Sequence, residues 1–130
     1  MSETAILLVD DEKSILDCLH EQLARAFGTR FVYERAESVE EAWEVIAEMQ
    51  DSGVTLAAVV SDWLMPGIRG DQFLLDLAAR GPEAVRVLLT GQADASAIER
   101  VREGGAAHGV LTKPWAAEEL QLLLQVEIAT

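Results

Sequence analysis

Leu56-Ala57-Ala58-Val59-Val60-Ser61-Asp62-Trp63-Leu64-Met65-Pro66-Gly67 is the stretch on which the fold turns. Five apolar residues run through a serine into a carboxylate, and a Met-Pro-Gly turn follows at once. A short β-rich run stopped by turn residues is the pattern of a fully buried strand. An acid at its carboxyl end lies in the crevice where open α/β sheets bind ligands. An isolated Asp there serves equally as a turn former or helix cap, so its meaning depends on what the other strands deliver.

Outward from this stretch the pattern repeats. Ala5-Ile6-Leu7-Leu8-Val9 is a second buried run, ending on Asp10-Asp11-Glu12. From Ser14 the period becomes helical, with Ile15, Leu19, Leu23 and Phe27 on one stripe and Gly28 closing it. Phe31-Val32-Tyr33 is the core of a strand followed by Glu34-Arg35, expected at the outside of the sheet. Ser38-Val39-Glu40-Glu41 is a capping box opening a helix with Val39, Ala42, Ile46 and Met49 inward. After Gly70, Phe73, Leu74, Leu77 and Ala78 mark a third helix. Residues 85–89 form a strand delivering Thr90-Gly91. Ala97, Ile98 and Val101 mark a fourth helix, Gly109-Val110-Leu111 a last short strand running into Thr112-Lys113-Pro114-Trp115. A final helix from Glu119 carries Leu120, Leu123 and Leu124 on one face, with Leu122 and Val126 off it.

Five strands alternating with five helices predict a doubly wound α/β fold, its parallel sheet covered on both faces. At 130 residues the chain is expected to be one domain. Its net charge of −13 argues against direct contact with nucleic acid or an anionic membrane and favours cations and basic partners. No segment is long and apolar enough to span a bilayer, and the acidic Met1-Ser2-Glu3 start is unlike a secretory signal. Cys18 is the one cysteine, so a reducing cytoplasm is the expected setting. His20 and His108 lack partners at metal-ligand spacing and are read as structural or exposed.

The strand ends carry the chemistry: Asp10 and Asp11 on the first, Asp62 on the third, Thr90 on the fourth, and Lys113 after the fifth. Three converging carboxylates cannot all stay ionised without a cation, and an all-oxygen donor set suits Mg²⁺ better than zinc. A carboxylate nucleophile beside a metal, faced by a lysine and a hydroxyl, is an arrangement for phosphoryl transfer.

Val9-Asp10-Asp11, Asp62 through Gly67 with Gly70, Thr90-Gly91 and Lys113-Pro114-Trp115 together resemble the receiver domain of two-component response regulators. The match runs from Ile6 to about Leu124. It implies a flavodoxin-like strand order 2-1-3-4-5, the order the doubly wound chemotaxis receivers share. It implies that Asp62 is the phosphoacceptor for a histidine kinase's phosphohistidine. Asp11 would be a direct Mg²⁺ ligand, Asp10 would act through water, and the main-chain carbonyl of Leu64 would be a further ligand. Lys113 would pair with a phosphoryl oxygen, Thr90 would be the switch hydroxyl, and the Lys113–Pro114 peptide would be cis. The fourth helix, last strand and fifth helix would form the face for an effector or a second copy, with Ile98, Arg102 and Glu119 as candidates.

The chain departs from that pattern at Val110, where the family commonly has an aromatic ring three residues before the lysine. Signalling is therefore expected to run through Thr90 and movement of the loop before the fourth helix, without an aromatic gate. Leu64, two residues after Asp62, is expected to obstruct an attacking water and Gln92 to orient one, giving a slowly hydrolysed phosphoaspartate. Trp63 is expected at the rim of the acidic site, and Trp43 is expected to pack or to lie half exposed on its helix. The leading function is a phosphorylation-dependent switch, fed by a sensor histidine kinase or histidine phosphotransfer protein, catalysing only its own phosphorylation and dephosphorylation. One rival is an Mg²⁺-dependent aspartyl-phosphate phosphohydrolase, which would need its nucleophile after the first strand. The other is a non-phosphorylated interaction module of the same fold.

Overall fold

The computed structural model describes residues 3–91 and 95–129. Strands β1 (Thr4–Val9), β2 (Val32–Ala36), β3 (Thr55–Asp62), β4 (Val85–Thr90) and β5 (Gly109–Thr112) alternate with helices α1 (Lys13–Phe27), α2 (Val39–Asp51), α3 (Gly70–Arg80), α4 (Ala95–Glu103) and α5 (Ala117–Ala129). The sheet has the order β2-β1-β3-β4-β5, and every neighbouring pair is parallel. The flavodoxin-like order 2-1-3-4-5 is therefore the observed one, with β2 at one edge.

Alternation along the strands sorts the apolar residues into two cores. Ala5, Leu7, Val9, Val59 and Leu88 face α2 and α3, packing on Val39, Ala42, Ile46, Met49, Phe73, Leu74 and Leu77. Ile6, Leu8, Ala58, Val60, Val87 and Leu89 face the other way, onto Leu16, Leu19 and Leu23 of α1 and Leu120 and Leu124 of α5. Both faces of the sheet are thus dry, which is why the central strands read as unbroken apolar runs.

Several element boundaries differ from the sequence reading. In α1 the buried stripe is Leu16, Leu19 and Leu23, with Ile15 and Phe27 on its flanks. Ala78 is exposed, because Phe73, Leu74 and Leu77 already cover the face that α3 turns inward. Strand β2 begins after Phe31 and takes Glu34 and Arg35 inside its span. Arg35 reaches Asp17 at 2.7 Å and His20 Nδ1 at 3.2 Å, which accounts for His20 without a metal. The capping box is present, with the Glu41 N–H donating to Ser38 Oγ at 3.1 Å. Trp43 packs edge-on against Phe73, centroids 5.6 Å apart, and the Arg80 guanidinium lies 4.4 Å over its ring. Helix α5 starts two residues before Glu119, whose carboxylate turns back to accept the Ala116 N–H at 3.0 Å.

The turn after β3 is built by two glycines. Gly67 has φ +87°, a conformation that side chains disfavour. Gly70 packs so closely under β3 that a Cβ there would overlap the Asp62 carbonyl oxygen, while its N–H donates to the Trp63 carbonyl at 2.8 Å. Gly70→Ala must therefore push on the backbone that carries Asp62. It is expected to lower stability by about 1–3 kcal/mol or more, measured as a reduced urea midpoint.

Candidate functional site

Each site residue is placed by the end of a strand. Asp10 follows β1 and is fully buried, Asp62 is the last residue of β3 and 7 % exposed, and Thr90 closes β4, also buried. Lys113 follows β5, its N–H donating to the Thr90 carbonyl at 2.8 Å. Its ammonium lies 2.9 Å from Asp62 Oδ1 and 3.4 Å from Asp10 Oδ2. The other Asp10 oxygen accepts the Glu12 N–H at 2.9 Å, so Asp10 shapes the entry to α1 instead of capping it from the N-cap position. The Lys113–Pro114 peptide is cis.

Asp10, Asp11 and Asp62 each offer a carboxylate oxygen, all within 4.8 Å of one another, with Asp11 exposed and the other two buried. Burial raises the Asp10 carboxyl above its ordinary 3.8; the Glu12 N–H opposes this, and Asp62 adds to it. Burial likewise raises Asp62, opposed by Lys113 and reinforced by the charge of Asp11. Burial works against the charge on Lys113, yet Asp62 and then Asp10 hold its ammonium above the usual lysine range. The shared ammonium gains from both acids, while burial outweighs its lowering pull on each carboxyl. The donor set contains carboxylate oxygens and no sulfur or imidazole, which fits a hard divalent cation such as Mg²⁺.

A cleft of about 400 Å³ opens beside these residues, bordered by Glu12, Asp62, Trp63, Leu64, Gly91 and Lys113. Leu64 stands 65 % exposed at its mouth, and Trp63 is half-buried at the rim, as its sequence position suggested. Gln92 lies outside the described residues. Val110 is half-buried against the α2–α3 core. At the opposite end of β4, His108 Nδ1 accepts the Arg86 N–H at 2.9 Å, and the Arg86 guanidinium donates to the carbonyls of Ala106, Ala84 and Gly105. His108 is thereby a structural partner, as expected.

The family model of the response regulator receiver domain matches residues 6–125. The chain belongs to the response regulator receiver family. This receiver is 32% identical over 119 residues to the hydrogenase transcriptional regulatory protein HoxA of Cupriavidus necator, covering 91% of the chain and 23% of that protein. It is 30% identical over 118 residues to the sensor kinase CckA of Brucella abortus, covering 88% and 11%. The receiver thus spans less than a quarter of the length of these curated relatives. Among solved structures, the signal receiver domain of an HD domain-containing protein from Pseudomonas fluorescens Pf-5 superposes with a TM-score of 0.85 at 26% identity, covering 99% of this chain and 89% of that one. No helix among the described residues is long and apolar enough to cross a membrane.

Three residues beside the site carried no assignment from sequence. Ser61 is buried and donates to the Asp62 carbonyl at 3.0 Å. Asp71, in the first turn of α3, is fully buried and ion-paired with Arg69 at 3.2 Å; an Asp beside a helix-opening Gly was the available signal. Glu12 belongs to the acidic run but lines the cleft itself.

Because the folded Asp10 and Asp62 carboxyls are raised, the folded receiver holds more protons than the unfolded chain just above pH 3.8. Their contribution to stability is therefore full below that pH and is lost as pH rises through the folded values. Without divalent cation, Asp10→Asn should be more stable than wild type at pH 7, where the buried carboxylate is ionised. The difference should vanish near pH 4, as read from paired urea titrations.

Proposed function

We propose that this receiver is a phosphorylation-dependent signalling switch that accepts a phosphoryl group on Asp62. The observation that carries the reading is the pairing of the buried Asp62 carboxylate with Lys113 at 2.9 Å, inside a cluster with Asp10 and Asp11. Asp11, Asp62 and the Leu64 main-chain carbonyl would hold Mg²⁺ directly, with Asp10 acting through water. When bound, the ion supplies positive charge against the phosphoryl oxygens.

The Asp62 oxygen not engaged by Lys113 attacks phosphorus. An O–P bond forms as the N–P bond to a donor histidine breaks, and the imidazole nitrogen leaves with the bonding pair. It departs neutral where its other nitrogen carries a proton. Lys113, freed from an ionised Asp62, then pairs with a phosphoryl oxygen, and Thr90 donates to another. The preformed lysine costs no reorganisation as charge develops. The donor in this reading is a sensor histidine kinase or histidine phosphotransfer protein, and the receiver spans residues 1–130 as one unit. Its one cysteine and acidic surface support a cytoplasmic setting. Contact with an effector or a second copy is assigned to α4, β5 and α5. There Arg102 is exposed and Ile98 half-buried, whereas the Glu119 carboxylate is engaged at the start of its own helix.

Incubation with acetyl phosphate and Mg²⁺ should add one phosphoryl group to the intact mass, and Asp62→Asn should add none. A wild-type chain that stays unmodified would instead favour a non-phosphorylated interaction module. Rapid multiple turnover with release of phosphate would favour a phosphohydrolase. Mg²⁺ alone should perturb Trp63 fluorescence, a response that Asp11→Ala abolishes. The exposed Leu64 side chain at the mouth of the cleft should slow water attack on the acyl phosphate. Leu64→Asn is expected to shorten the phosphorylated half-life severalfold, followed by mass spectrometry after removal of donor; an unchanged half-life would remove that role.

A further inference from the structure

Among the described residues, one buried side-chain polar atom has no hydrogen-bond partner, the indole Nε1 of Trp63. It sits one peptide bond from Asp62. A buried donor without an acceptor is costly, since it has given up water and gained nothing. Smaller or apolar side chains would fill the same space without that cost. The ring therefore satisfies its packing in this state and leaves its N–H unmatched.

The register shows what Trp63 faces. Ser61 lies beside Leu88, and Leu88 beside Val110, across β3, β4 and β5. The Trp63 N–H donates to the Leu89 carbonyl at 2.8 Å, continuing the parallel ladder one residue past the end of β3. By the alternation of side chains, Trp63 and Thr90 then share one face, one row above Leu88 and Val110. Trp63 and Val110 indeed pack against the same apolar cluster, the one that carries α2 and α3. Asp62 points to the opposite side of the strand, toward Lys113. The β5 residues on the Trp63 face are Val110 and Thr112, so the indole is the one aromatic ring that β3, β4 and β5 and their carboxyl ends place there.

We infer that Trp63 is the residue through which the state of Asp62 is passed to the face of the sheet that carries α2 and α3. Its indole N–H, unpaired in this state, takes an oxygen acceptor from the carboxyl end of β4 when Asp62 is phosphorylated. This rests on the reading of Asp62 as phosphoacceptor. The unmatched donor raises the free energy of the resting state alone, and the activated state relieves it. Removing the N–H while keeping a ring thus stabilises the resting state and makes activation harder. A tryptophan that serves packing alone would behave in the opposite way, its loss weakening the resting fold.

The test follows the three indole Nε1–H resonances of the full chain by ¹H–¹⁵N spectroscopy, assigned with Trp43→Phe, Trp63→Phe and Trp115→Phe. Intact mass after acetyl phosphate is measured in parallel, and beryllofluoride with Mg²⁺ holds the activated state for the spectra. The Trp63 resonance should move downfield and exchange with deuterium about tenfold more slowly. Trp63→Phe should show an equal or higher urea midpoint without ligand and an approximately tenfold weaker response to beryllofluoride. A wild-type chain that gains phosphoryl mass while the Trp63 indole resonance and its exchange stay unchanged overturns the inference and leaves Asp62 standing. A chain that gains no mass overturns both. If Trp63→Phe does not fold, the other two variants assign the resonance by elimination and the wild-type spectra decide.

Discussion

The ammonium of Lys113 between the carboxylates of Asp62 and Asp10 is the interaction on which the site depends. It joins the ends of β1, β3 and β5, residues as far apart in sequence as 10 and 113. It also keeps a pair of buried acids compatible with folding. Two such carboxylates alone would face desolvation and mutual repulsion, and one would be forced to protonate. Burial raises both acids and the one shared ammonium only opposes that rise. That residual imbalance gives a divalent cation, or added positive charge of any kind, something to stabilise.

The geometry around this contact is set by backbone, not by side chains. The parallel ladder brings the carboxyl ends of β1, β3 and β4 to one edge of the sheet, and hydrogen bonds just past the strand ends continue it. Trp63 donates to Leu89 and Lys113 to Thr90. Beneath Asp62, Gly70 admits the close passage of α3 under the β3 carbonyl, and Ser61 donates to that same carbonyl. The turn that carries Leu64 is therefore held at both ends. On the proposed reading of Asp62 as phosphoacceptor, such a support lets it meet its partners without rearranging the fold, which is the physical content of preorganisation. On that same proposal the response to phosphorylation belongs to the less constrained groups nearby, among which the indole N–H of Trp63 is buried without a hydrogen-bond partner.

Much of this was legible in the linear chain because its signals are local. Apolar runs ending on Asp10 and Asp62, the Ser38–Glu41 cap and the breakers at Gly28 and Gly67 dictate strands and helices by propensity and period alone. The placement of Asp10, Asp62, Thr90 and Lys113 at strand ends follows from the same alternation, because a parallel sheet puts all carboxyl ends on one side. Less legible was the exact inward face of helices. Leu16 in place of Ile15, and the exposure of Ala78, depend on the angle at which each helix lies on the sheet. Strand β2 extends to include Glu34 and Arg35 because an edge strand can carry polar residues, Arg35 here pairing with Asp17.

The sequence by itself determined the fold class, the family and the residues that meet at the strand ends, since these rest on period, punctuation and short motifs. Only the tertiary structure decided how the charges are shared and which polar atoms are left unmatched. The double contact of Lys113, the full burial of the Asp71 side chain and the stranded N–H of Trp63 arise from the packing of elements remote in sequence. No local pattern encodes such distances, because each is fixed by how every helix packs on the sheet at once.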